Sequence, residues 1–141
     1  MSAIHINSGK SSGEMHYAFE INKRSRTIRV NFVGKLDASA IAAYARELRA
    51  SSEFDPAFSE IVDLRQVGEV ELRAAHAVGL ADKVDPFSLT SRRAFLVATE
   101  GQRNAVRMHQ ILSGGQRDIK IFNSLKDAAR WLASSDARDA D

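Results

Sequence analysis

The centre of the chain reads Phe58-Ser59-Glu60-Ile61-Val62-Asp63-Leu64-Arg65 and continues as Gln66-Val67-Gly68-Glu69-Val70-Glu71-Leu72. A short apolar run ends in charged residues. A glycine and then an alanine-rich segment, which favours helix, follow it. This order is typical of a buried strand that delivers a loop to the carboxyl edge of a sheet, where open α/β folds contact other molecules. The segment has neither a catalytic pair nor a glycine-rich phosphate loop, so it indicates a fold more clearly than a function.

Two strands and a helix are predicted before this segment. Apolar residues alternate with polar ones over 17–21 and again over 27–32, as a sheet with one buried face requires. Residues 22–25 between them predict a hairpin turn, and Gly34 is expected to close the second strand. Asp37 is a good N-cap for a helix that runs to about residue 50.

The strand at 59–64 is followed by a regular alternation of helices and strands. Helices are predicted over about 72–84, over 101–112 and after Ser124, and strands over 94–98 and 119–122. The predicted order is β-β-α-β-α-β-α-β-α, an α/β domain with a mainly parallel five-stranded sheet and an antiparallel hairpin at its start. The domain is predicted to span 15–133, between a flexible lead-in at 1–14 and a polar tail at 134–141.

Composition excludes several functional classes. Twenty basic and eighteen acidic residues give a net charge of +2, so bulk electrostatics do not favour nucleic acid. The chain has no cysteine, which excludes disulfides, thiolate metal sites and cysteine nucleophiles. No apolar run is long enough for membrane insertion and no signal peptide is evident, so a cytoplasmic location is expected.

The element order and three short motifs resemble the STAS-like superfamily, and most closely its small bacterial SpoIIAA-like members. The motifs are Phe54-Asp55-Pro56-Ala57-Phe58 before the central strand, Ile61-Val62-Asp63-Leu64-Arg65 with Val67 and Val70, and Asp85-Pro86-Phe87-Ser88 before the strand at 92–97. The resemblance covers roughly 15–133 and implies the fold of anti-sigma-factor antagonists.

In the antagonist family an aspartate-serine pair opens the helix after the central strand, and a kinase phosphorylates that serine. Laid on this chain, the pattern puts Glu71 at the acidic position, Leu72 at the phosphoacceptor and Arg73 at the next residue. Between residues 65 and 89 the only hydroxyl belongs to Ser88. The resemblance therefore implies the scaffold without its phosphorylation switch.

Six residues are the candidate partner-binding set. Glu69 and Glu71 are expected near the start of the helix at 72–84, where the helix dipole favours negative charge by roughly 0.3–1 kcal/mol each. They either present a standing negative charge to a partner or, the favoured interpretation, only stabilise the helix end. For Asp63 and Arg65 a local ion pair is favoured over a ligand contact. The full set is Asp63, Arg65, Gln66, Glu69, Glu71 and Arg73.

These features predict a non-catalytic regulatory or protein-interaction module that binds an unidentified protein through residues 66–84. A homodimer is also expected, because the thin stripe of small residues at 72–84 and the edge strand of the hairpin would both benefit from cover. The alternative is a small-molecule or lipid carrier, which requires an apolar cavity lined by residues such as Phe87, Leu96 and Met108. No catalytic residue, metal ligand or cofactor is predicted, because the four histidines lack ligand spacing.

Overall fold

The strands of the sheet lie side by side in the order in which the chain forms them. The computed structural model describes residues 2–7, 15–71, 86–88, 90–112 and 118–134. Within these ranges the strands are β1 (Ser2–Asn7), β2 (Met15–Asn22), β3 (Thr27–Asp37), β4 (Ser59–Glu71), β5 (Arg92–Leu96) and β6 (Asp118–Phe122). The helices are α1 (Ala38–Ala50), α2 (Glu100–Leu112) and α3 (Leu125–Ala133).

The predicted fold class is confirmed. β2 and β3 form the predicted antiparallel hairpin, and β3, β4, β5 and β6 pair in parallel. One prediction is wrong at the N-terminus: residues 2–7, expected in a flexible lead-in, form β1, which pairs antiparallel with β2 and gives the sheet a sixth strand. The order of elements is otherwise as predicted, except that the helix expected over 72–84 lies outside the described residues.

β4 is longer than predicted. The segment 66–71, expected to be a loop that leads into a helix, continues the strand, because the second half of β3 offers it backbone partners as far as Asp37. The parallel register shifts between Asn31 and Val33 and again between Gly34 and Lys35, and β4 supplies one extra residue at each shift. The glycine that indicated a loop, Gly68, is the extra residue at the second shift, a common place for glycine in a strand.

β3 also continues past its predicted end. Gly34 does not close the strand but lies within it, with a φ of 92° that most side chains would not tolerate. The strand runs on to Asp37, whose side chain accepts a hydrogen bond of 2.9 Å from the Ala40 amide. Asp37 therefore ends β3 and caps α1, as predicted for the cap.

Apolar side chains cover the two faces of the sheet unequally. The larger cluster joins β2, β3, β4 and β5 to α1 and α2, with Val30, Leu48 and Val106 among its buried members. The smaller cluster lies on the opposite face, where Ile61 and Leu96 pack near Ala128 of α3. Ile61, Val62 and Leu64 are buried, as predicted for the central strand, and successive side chains point to alternating faces.

The ends of α3 are fixed by side chains. At its start, where the sequence predicts a helix after Ser124, the Ser124 hydroxyl accepts a hydrogen bond of 3.2 Å from the Asp127 amide. At its end the buried guanidinium of Arg92 donates to the carbonyl oxygen of Trp131 at 2.8 Å. No helix in the described part of the chain is long and apolar enough to cross a membrane.

Replacing Ile61 by alanine should destabilise the domain by roughly 2–5 kcal/mol, because it removes buried methyl groups and leaves a cavity against α3. Glu69→Lys is the control, since Glu69 is exposed on β4 and its reversal should change the free energy of unfolding by less than about 0.5 kcal/mol. Urea denaturation followed by circular dichroism measures both. Equal losses would show that the exposed end of β4 belongs to the core.

Candidate ligand-binding cavity

A cavity of about 390 Å³ lies between α1, α2 and the sheet face that these helices cover. Its volume falls in the range of roughly 300–1,000 Å³ that is usual for small-molecule sites. Most of the wall described by the structure is apolar and comes from β3, β4, β5 and α2; it includes Phe32, Leu36, Val62, Leu64, Phe95 and Val106. The cavity therefore has the lining that an apolar ligand requires.

One ion pair stands in this apolar wall. The carboxylate of Glu60, which is 0% exposed, accepts a hydrogen bond at its Oε1 from Nε of Arg93 at 2.9 Å. A terminal nitrogen of Arg93 lies 2.7 Å from the same oxygen and completes the ion pair. The hydroxyl of Tyr44 donates to the other oxygen, Oε2, at 2.6 Å. Both carboxylate oxygens of Glu60 are thus satisfied by groups of the protein.

Strand alternation explains why these charges meet inside. Glu60 is in phase with Val62 and Leu64 on β4, so its side chain must enter the same core face. Arg93 stands opposite Glu60 in the parallel register of β4 and β5. Taking either charge out of water costs several kcal/mol, and removing one partner from a buried pair typically costs about 3–5 kcal/mol. Each charge is therefore tolerated because the other one is present.

Aromatic rings hold the polar end of the cavity in place. The ring of Tyr44 makes edge contacts with Phe19 and Phe32, with centroids 5.4 Å and 5.7 Å apart. The guanidinium carbon of Arg93 lies 4.8 Å from the ring centroid of Phe87, a cation–π distance. These contacts restrict the rotamers of Tyr44 and Arg93, so the donors that point at Glu60 are preorganised.

Helix α2 supplies the more exposed part of the wall. Asn104, Met108 and His109 line the cavity, and Met108 is 50% exposed. The His109 ring is 6.0 Å from the ring of Phe95 on the sheet. Of the three residues predicted to line an apolar cavity, Phe87 and Met108 do so, and Leu96 does not, because it is on the opposite face with the α3 cluster.

The predicted site residues Asp63 and Arg65 form a local ion pair on the face opposite the cavity. Nε and one terminal nitrogen of Arg65 donate to the two oxygens of Asp63 at 3.0 Å and 2.9 Å, and the Arg65 amide donates to one of them at 3.0 Å. Burial by itself raises the pKa of Asp63, but the hydrogen bonds and charge of Arg65 outweigh it and hold that pKa below its usual value. The hydrogen bond to Asp63 likewise raises the pKa of Arg65.

The other members of the predicted set are distributed along the end of β4. Gln66 and Glu69 are exposed and line a polar groove of about 460 Å³ with Arg65 and the start of α2. Glu69 and Glu71 belong to the end of β4, and Glu71 is its last residue. Their predicted place near the start of a helix stays a prediction, because the helix expected over 72–84 lies outside the described residues. Arg73 lies outside the described residues.

Gln102, which the sequence did not single out, joins this groove to the core. Its side-chain amide donates to the carbonyl oxygen of Val67 at 2.8 Å, and its side-chain oxygen accepts from the amide of Ala98 at 2.6 Å. Gln102 is buried and connects the end of β5 to the extended part of β4. The two sides of the groove are therefore held at a fixed separation.

The sequence also did not single out Glu60, Arg93 or Tyr44. A signal was present in the alternation: Glu60 occupies an inward position of a strand whose neighbours Val62 and Leu64 are apolar. A buried acid requires a buried base, and Arg93 is in the same phase as Phe95 on the next strand. Only the register between β4 and β5 identifies Arg93, and not Arg92, as the partner.

The fold described above occurs in a known structure. An uncharacterised protein of the DUF3478 family with a SpoIIAA-like fold, from Shewanella loihica, matches with a TM-score of 0.54 and 21% sequence identity, over 93% of this chain and 93% of that chain. The chain has a SpoIIAA-like fold. This confirms the resemblance drawn from the sequence at the level of fold, which is all that 21% identity supports. No family model and no curated protein matches the sequence.

Replacing Asp63 by asparagine should weaken the domain at neutral pH and have less effect in acid. The lowered pKa of Asp63 means that its stabilising contribution is present above the unfolded value of 3.8 and is lost as the pH falls through the folded value. The difference in unfolding free energy between the wild type and Asp63→Asn should therefore shrink below about pH 4. Arg65→Gln should remove most of the same pH dependence, and parallel stability curves from pH 7 to pH 3 would contradict the assignment.

Proposed function

We propose that the domain is a non-catalytic binding module that holds a small, mainly apolar molecule in the cavity between α1 and α2. The observation that carries this proposal is the cavity itself, about 390 Å³ of mostly apolar space with one polar end. Binding sites for small molecules combine such a wall with a few placed polar groups. Here the polar groups are Glu60, Arg93 and Tyr44, which are fixed by one another.

The apolar wall supports occupancy by an apolar molecule. Contact with this wall removes apolar surface of the ligand from water, which is favourable without any charged group on the ligand.

The arrangement of the polar end supports binding without chemistry. Both oxygens of Glu60 accept hydrogen bonds from protein groups, and Arg93 is held by that carboxylate and by the ring of Phe87. A carboxylate and a guanidinium that satisfy each other orient a neighbouring molecule and do not attack it. The proposal therefore assigns no catalytic residue, metal or cofactor.

A second candidate function is contact with a protein partner at the exposed end of β4. The observation that favours it is the polar groove of about 460 Å³ beside Gln66 and Glu69, whose sides are fixed by Gln102. This surface lies at the carboxyl end of the parallel strands, where α/β folds commonly make their contacts. Arg65 is engaged by Asp63, so Gln66 and Glu69 carry most of the expected recognition.

Filling the cavity should weaken binding of a neutral apolar dye. The wild type should bind N-phenyl-1-naphthylamine saturably with a rise in fluorescence, and Ala105→Phe, which adds a ring to the cavity wall, should weaken binding at least about tenfold. Ala129→Phe is the matched control, because Ala129 is exposed on α3 outside this cavity. Circular dichroism verifies that both variants fold. Equal binding by the wild type and Ala105→Phe would place the dye elsewhere and contradict the proposal.

Charge reversal at the end of β4 should weaken capture of a protein partner. A pulldown with the tagged wild type should retain a partner that Glu69→Lys loses, because reversing an interfacial charge places like charges against each other. Lys126→Glu is the control, an exposed charge reversal on α3 at the opposite face of the sheet. A partner that both variants lose, or that both retain, would contradict the assignment of this surface.

A further inference from the structure

The two formal charges in the described wall of the cavity cancel each other. Glu60 and Arg93 are the only Asp, Glu, Lys or Arg residues in the described wall. A nitrogen of Arg93 lies 2.7 Å from an oxygen of Glu60. Both side chains are almost fully buried, at 1% and 8% exposure. Among the described residues, a molecule that enters therefore meets a polar end without net charge and an otherwise apolar wall.

We propose that the ligand is electrically neutral: an apolar molecule that ends in a hydroxyl, carbonyl or amide group, and not a carboxylate or an amine. The inference rests on the proposed function and specifies its ligand class. It follows from the pairing of the two charges and from the apolar wall around them, and neither observation depends on which neutral group the ligand carries.

The cost of bringing an ion into the cavity supports this ligand class. An ion that leaves water loses several kcal/mol of hydration, which a protein offsets with an opposite charge or with hydrogen bonds to the ion. In the described wall both charged groups are already paired with each other. A carboxylate would have to share Arg93 with Glu60 and would place two anions beside one guanidinium. An ammonium group would have to displace Arg93 from Glu60 and would leave two cations beside one carboxylate.

A neutral polar group encounters neither cost. Hydroxyl, carbonyl and amide groups exchange hydrogen bonds without adding a charge, and Asn104 in the cavity wall offers both a donor and an acceptor. The long apolar part of such a molecule is then placed against Val62, Leu64 and Phe95. The neutral end lies near the pair and leaves it intact.

The test measures how 1-decanol and decanoate displace N-phenyl-1-naphthylamine from the protein. Both probes have the same chain length, and at about pH 8 decanoate is ionised. The wild type should release the dye at concentrations of decanol at least about tenfold lower than those of decanoate. Decanol also leaves water more easily, so the deciding quantity is how the ratio changes in a variant.

Glu60→Gln keeps the shape of the side chain and removes the charge that cancels Arg93. This variant should shift the ratio toward decanoate by at least about tenfold, because the cavity then has a net positive charge. Arg93→Gln should shift preference toward decylamine for the converse reason. The double variant Glu60→Gln/Arg93→Gln has no charge at this end and should keep the wild-type preference for decanol, which provides a test even if a single variant does not fold.

Each outcome separates the two proposals. A wild type that binds the dye but prefers decanoate, or folded single variants with unchanged ratios, would overturn the neutral-ligand inference and leave the cavity as a binding site. If the single variants do not fold, a double variant that prefers decanoate would overturn it in the same way. A wild type that binds no dye saturably would overturn the proposed function and this inference with it.

Discussion

The buried ion pair between Glu60 and Arg93 constrains the rest of the sheet. Each charge is tolerated inside only because the other lies directly opposite it on the neighbouring strand. A slip of one residue between β4 and β5 would move every side chain of the slipped strand to the other face and would separate the charges. The pair therefore favours one register between β4 and β5. In that register Val62 and Phe95 lie on one face of the sheet, and Ile61 and Leu96 lie on the other.

The two faces differ as a consequence. On one face, small and branched side chains such as Ala94 and Leu96 lie close to α3, and Arg92 ties the end of that helix to the sheet. On the other face, the side chains of Glu60 and Arg93 occupy positions that apolar residues would otherwise fill. The cavity lies on this second face, between α1 and α2. The ion pair of Glu60 and Arg93 and the cavity therefore lie on the same face, where apolar packing is not uniform.

Local signals in the sequence predict most of the fold. The features that the sequence did not predict, the extension of β4 and the position of the cavity, depend on pairing between strands that are distant along the chain. Period-two alternation and the caps Asp37 and Ser124 act within a few residues, so the strands and helices that they predict are observed where described. The extension of β4 depends on partners in β3, some thirty residues away, which outweigh the loop preference of Gly68. The cavity likewise needs the register of β4 against β5, and that register is not visible in either strand alone.

Two candidate functions lie on one strand, at positions that differ in packing. The first half of β4 places Glu60, Val62 and Leu64 at the cavity, and the second half exposes Gln66 and Glu69 beside α2. One extra residue of β4 lies where the two halves meet, and the other lies in the second half. Each one changes which side chains of β4 face the cavity, while the strand stays paired in the sheet. A ligand that packs on Leu64 and Val70 contacts the same backbone that presents Gln66 and Glu69. A cavity ligand and a protein partner are therefore compatible in one domain, because β4 joins the two surfaces physically.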